Sequence, residues 1–328
     1  YSGLEYEVFT PMILMGFYLL HGEELPSTLR DSLHAALLVA ADGVYLNFYP
    51  HHSDPGLAGH TNYNFMYAAI LRLGGELGDD TTLTCAGDVW LADWAAYALN
   101  GGITEFLSPT SYAVDWNALQ TLGACTESES VRQFCLAWLA YFWADVALNW
   151  HPPTYTVAGA HSRDYRPWRS IGSVCTRAAL AGWPLPPEIS VDDGNVLDAV
   201  FPYDPPEELA TVFTGRGAGV VQRIWRGDEP WCDAATYFGQ GFAIGWQGRE
   251  RGSQDRPFAL LIDEPYGPAV MAWVDMWDNP FELPRIGGGS GHNHEPTGLM
   301  AIGNESAALI TYDPDPGAYG LERDRRLQ

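Results

Sequence analysis

The sequence contains no lysine. All 17 of its basic residues are arginines, set against 41 aspartates and glutamates, and the formal net charge is −24. A surface so poor in cations excludes nucleic acid as the partner, because binding to a phosphate backbone depends on cationic side chains. It also makes every arginine that leaves the surface a candidate anion ligand, since no ammonium group can take that part. Cysteine is scarce as well: five residues, at 85, 125, 135, 175 and 232, with no CxxC pair among them. That excludes a dense disulfide framework and a zinc knuckle, with Cys125 and Cys135 the nearest pair in sequence. No apolar run is long enough to span a bilayer, for Val8 to Leu20 is short and broken by Pro11. The chain opens at Tyr1 rather than Met and shows no signal peptide, which is compatible with a processed protein that is secreted or periplasmic.

Apolar and aromatic side chains are plentiful, enough for one large core or two moderate ones. The first half reads as amphipathic helices with identifiable stops. Ser27 caps one carrying Leu29, Leu33, Leu37 and Ala40 and ending near Gly43. Thr61 caps a second with Phe65, Ala68, Ala69 and Leu73 inward, and Asp80 opens a third through Trp90, Trp94 and Leu99 to the Gly101-Gly102 stop. Others begin near Ser111 and Ser128, and one runs from Ser170 to Ala181. They are apolar around much of their girth, so each needs neighbours on more than one side. The stretch 184–207 is rich in proline and acid and reads as a linker. Beyond it, segments at 220–225, 235–238, 242–246, 258–262, 270–274 and 307–312 read as strands between Gly, Pro and Asp turns. The expected fold is α+β: an (α/α) helical toroid, whole or partial, over 1–183, the linker, and an antiparallel sheet or sandwich over 208–328.

One turn stands apart from this scaffold. Ala158-Gly-Ala-His161-Ser-Arg163-Asp164-Tyr165 presents an imidazole, a guanidinium and a phenol within five positions, after a long apolar helix and the Pro152-Pro153 break. Small residues let the backbone turn tightly, so that three different polar groups can converge. Together with Asn62-Tyr-Asn64 and Ser108-Pro-Thr-Ser-Tyr112, and with the helices-then-sheet order, this turn resembles the toroid-plus-sheet polysaccharide lyases, the heparinase-like and alginate-lyase-like enzymes. The resemblance implies β-elimination on a uronate glycan. The uronate carboxylate is neutralised so that an enolate can form, a base removes the C5 proton, and a phenol protonates the leaving oxygen. It implies His161 as base or neutraliser, Arg163 as the carboxylate ligand, and Tyr165 or Tyr112 as the phenol, with Asn62 and Asn64 on the helix that lines the cleft. Trp116 and Trp168 are flat enough to stack on sugar rings.

Two other readings stay open. Inverting glycoside hydrolases also use (α/α) toroids and need two carboxyl groups about 6.5–9.5 Å apart. Asp88, Glu105, Asp115, Asp145 and Asp164 are available, and the apolar setting of Glu105 before Phe106-Leu107 raises its pKa. A carbohydrate-binding or assembly protein without catalysis is the third reading. No cofactor is expected. His51, His52 and His60, and separately His292 and His294 after a glycine-rich run, are the candidate metal ligands. The expected partner is a polysaccharide or oligosaccharide, although an acidic protein repels an acidic polymer at long range.

Overall fold

The computed structural model describes residues 8–53, 60–163, 174–183, 196–215, 217–223, 234–247, 258–263, 270–273, 300–303 and 308–311. The described residues form an α+β protein, helical in the first half and antiparallel β in the second. Six long helices come first: α1 (Phe9–His21), α2 (Ser27–Asn47), α3 (Thr61–Leu77), α4 (Thr81–Gly101), α5 (Tyr112–Cys125) and α6 (Glu129–Asn149). Their ends follow local chemistry. Asp80 accepts hydrogen bonds from the Thr82 and Leu83 amides, Ser128 accepts from Val131, and α4 stops where Gly102 takes φ 77°. α2 overruns the expected stop at Gly43 and ends at Asn47, because an isolated glycine costs a helix only about 1 kcal/mol.

α3 and α5 form the centre. Every residue from Thr61 to Leu71 is buried, and so is the run from Asp115 to Leu122. α1, α3 and α5 touch one another, α2 and α4 cover α3, and α6 covers α5. This is the many-sided packing that all-round apolar sequences require. Leu29 and Leu99, expected inward, lie exposed. Among the described residues no helix is long and apolar enough to cross a membrane.

Three short helices follow: α7 (Val174–Leu180), α8 (Val196–Val200) and α9 (Glu207–Thr214). α8 corrects part of the expected linker. Leu197 and Phe201, four residues apart, make an apolar edge that is buried, and Gln120 of α5 donates to the Phe201 carbonyl at 2.8 Å. Buried Arg177 binds Asp198, Gln120 and Asn117 together and lies 5.0 Å over the Trp116 ring. α9 returns to the helical core, where Phe213 stacks on Trp150 at 4.5 Å.

A two-residue hairpin, β1 (Trp150–His151) with β2 (Thr156–Val157), leads from α6 into the turn. The main sheet is an antiparallel meander of β3 (Gly219–Arg223), β4 (Ala234–Gly239), β5 (Phe242–Gln247), β6 (Phe258–Ile262) and β7 (Val270–Trp273). A second hairpin, β8 (Met300–Gly303) with β9 (Ala308–Thr311), runs beside β5. Register places Thr236, Gly245 and Ala259 in one row across the sheet, with Phe238, Ala243 and Leu261 in the next row of the same face. That face meets the turn: Ala158 clusters with Phe238, Ala243 and Leu261. The small first row permits backbone contact. A Cβ on Gly245 would lie 2.1 Å from Gly159 Cα, and Gly159 itself has φ 105°. The turn is therefore wedged between helices and sheet.

Candidate functional site

The first turn of a helix leaves amide hydrogens without intrahelical acceptors. At the start of α3, Glu105 supplies the acceptor: the Asn62 amide lies 3.4 Å from Glu105 Oε2. Glu105 comes from the α4–α5 connection. Ile103, Phe106 and Leu107 anchor that segment in the core, and Ser108 Oγ accepts from the Ser111 amide at 3.0 Å just before α5. The turn is clamped to it, since the Ser162 amide donates to the Phe106 carbonyl at 3.0 Å. Both Leu107 (φ 48°) and Arg163 (φ 45°) hold left-handed backbone, uncommon for branched or long side chains.

From that position Arg163 reaches two partners. Its Nε is 3.0 Å from Glu105 Oε1, and one terminal nitrogen is 2.7 Å from His60 Nδ1. A guanidinium only donates, so Nδ1 of His60 accepts and the ring hydrogen sits on Nε2. Burial, then the charge of Arg163, push the His60 pKa down to about 4, which keeps the ring neutral. The Glu105 carboxyl is pushed up by burial, against the pull of Arg163 and of hydrogen bonds from Asn62, Ser111 and Thr61. Asp115 is fully buried, and neither oxygen finds a hydrogen-bond partner among the described residues. Burial, and secondarily the charge of Glu105, hold its pKa well above the usual carboxylate range.

A second polar chain runs from α5 to the sheet. Tyr112 donates its phenol hydrogen to Asp145 Oδ2 at 2.6 Å. Asn149 donates to the Asp145 carbonyl at 2.9 Å and accepts from Thr236 Oγ1 at 2.9 Å. Asp145 and Asn149 line a cleft of about 200 Å³ between α6 and the sheet.

Several sequence expectations change here. Arg163 does face the start of α3, and His161 lies buried in the same turn. Tyr112 is wholly buried rather than at a rim. Asn64 serves the fold: it donates to the His60 carbonyl and accepts from Trp90 Nε1 at 2.7 Å. The Asn62 side chain accepts from the next amide at 2.9 Å. Trp116 is no sugar platform, being wholly buried and stacked on Trp143 at 5.1 Å, because its position on α5 faces the core. Asp88 is taken by Arg72 at 2.8 Å. The first histidine cluster is dispersed, with His52 turned to Asp93 at 3.1 Å and His60 to Arg163. Among the described residues no group of three or more His, Cys, Asp or Glu is placed to hold a metal. Cys125 and Cys135 are free thiols, their pKa values raised by burial to about 11 and about 12. Tyr165, Trp168, Asp164, His292 and His294 lie outside the described residues. Sequence reasoning weighed His60 only as a metal ligand and passed over Asn149. The signals were its place directly before the Thr61 helix start, and the i, i+4 spacing of Asn149 from Asp145.

A family model described as a domain of unknown function, DUF8769, matches residues 6–171. The chain belongs to the DUF8769 family. Its match spans α1 to α6 and the turn, so Arg163, His60, Glu105, Asp115, His161, Tyr112, Asp145 and Asn149 fall inside the DUF8769 region, whereas the main sheet lies beyond it. No curated protein and no solved structure matches the chain.

Proposed function

We infer that the chain is a carbohydrate-active enzyme that cleaves a uronate-containing polysaccharide by β-elimination. The observation that carries this reading is the meeting of Arg163, His60 and Glu105 at the start of α3. Arg163 is about a quarter exposed, at 24%, which brings a guanidinium within reach of a substrate carboxylate, with the neutral Nε2–H of His60 beside it. Together they withdraw charge from a uronate carboxylate and stabilise the enolate. His161 takes the C5 proton. The C4–O bond breaks as the C4=C5 double bond forms, and Tyr165 protonates the departing oxygen, since the phenol of buried Tyr112 is committed to Asp145. The packing supports the accompanying architecture: α1, α3 and α5 suit the inner layer, and α2, α4 and α6 the outer layer, of part of an (α/α) toroid. The β8–β9 hairpin beside β5 suits the second layer of a sandwich. The test is to incubate the protein with a panel of uronate polymers and follow the ultraviolet absorbance of the unsaturated product. A rise that Arg163→Met abolishes is the expected result, and silence across the panel overturns the reading.

One observation favours an inverting glycoside hydrolase as the second reading. Glu105 and Asp115 are neighbouring buried carboxyls, both with raised pKa, which suits a general acid kept protonated. New reducing ends without the unsaturated product, lost in Glu105→Gln, would establish that reading in place of the lyase.

A further inference from the structure

The cleft between α6 and the sheet takes no part in the arginine site. Tyr141, Asp145 and Asn149 line it from one face of α6, at the four-residue spacing that aligns side chains along a helix. Leu107, Ala160 and Thr236 close other sides. Tyr141 is 43% exposed, and its ring is braced edge-on by Trp138 at 5.4 Å. A braced, half-open aromatic at the lip of a small cleft is a platform for the C–H face of a sugar ring. Deeper in, the Asp145 carboxylate is fixed by the Tyr112 phenol and the Asn149 amide by Thr236. A rigid carboxylate accepts hydrogens from hydroxyls and repels a second carboxylate. The volume of about 200 Å³ has room for a single six-membered ring.

We propose that this cleft is a binding subsite for an uncharged pyranose. Leu107 and Ala160 belong to the two segments that carry Glu105 and Arg163, which the Ser162–Phe106 hydrogen bond ties together, so the subsite lies beside the arginine site. The substrate class is then a heteropolysaccharide in which a uronate is joined to a neutral sugar, the uronate on Arg163 and its neighbour on Tyr141. That pairing rests on the function proposed above; the binding of an uncharged ring does not.

The experiment is a titration of the full chain, by NMR or calorimetry, with methyl glucoside and N-acetylglucosamine as uncharged probes and glucuronate as the charged one. The uncharged probes bind, and Tyr141→Ala weakens them about tenfold in a variant whose folded state is verified by its cooperative melting. Glucuronate binding is indifferent to Tyr141→Ala. Failure of both uncharged probes to bind, or binding that Tyr141→Ala leaves unchanged, overturns the subsite. Elimination on a uronate polymer without neutral-probe binding would remove the subsite and leave the reaction. Neutral-probe binding that Tyr141→Ala weakens, with no elimination, would do the reverse.

Discussion

Asp115 and His60 give the site opposite responses to pH. The folded state holds the Asp115 proton far more tightly than the unfolded chain, whose carboxyl titrates near the ordinary value of 3.8. Folded protein therefore binds more protons above that pH, and stability falls as pH rises. Asp115→Asn removes the titration, so its melting temperature gains on the parent as pH climbs from below 3.8 toward neutrality; a constant gap across the range would contradict a neutral Asp115. His60 works the other way. Its folded pKa of about 4 lies below the ordinary 6.5, so the unfolded chain binds the extra proton and stability is lost as pH falls through that window. In NMR the His60 ring should stay neutral down to about pH 4, and Arg163→Met, which removes the second cause of the shift, should raise that titration. Tyr112→Phe leaves the Asp145 carboxylate without its phenol. The expected cost is about 1–3 kcal/mol in unfolding free energy, measured by denaturant titration.

Among the elements, the joints matter more than the helices themselves. A methyl group on Gly245 would collide with the Gly159 backbone, which cannot rotate aside as a side chain could. Gly245→Ala should cost about 1–3 kcal/mol and should accelerate amide exchange in β4 and β5 more than in α3. Helix starts and stops at Asp80, Gly102 and Ser128 were readable because each depends on hydrogen bonds or dihedrals within a few residues. α8 was not readable, because five residues have too little periodicity to stand out within a proline-rich stretch. Only contact with α5 and the Arg177–Asp198 pair makes it a helix. Arg177→Met strands that buried aspartate, and about 3–5 kcal/mol of stability should be lost, with α7 and α8 the first to exchange.

At the scale of the molecule the charge of −24 governs approach. A polyanionic substrate is repelled at long range, and salt screens that repulsion more than it weakens the partly buried Arg163 contact. For the proposed lyase, kcat/KM on a uronate polymer should therefore rise from low to moderate salt, the reverse of a basic enzyme; a monotonic fall would argue against an acidic approach path. The sequence by itself determined the α+β order, five of the six long helices with the Asp80 and Ser128 caps and the Gly102 stop, five strands of the meander and β9, the absence of lysine, and the turn carrying His161 and Arg163. All of these rest on periodicity, capping and composition, which act over short stretches of chain. Tertiary structure decided which polar groups face one another. Glu105 meets Arg163 and His60, Tyr112 meets Asp145, and Trp116 turns to the core across separations that no local pattern encodes. Burial depends on the whole fold, and with the charges of Glu105 and Arg163 it raises the Asp115 pKa and lowers that of His60.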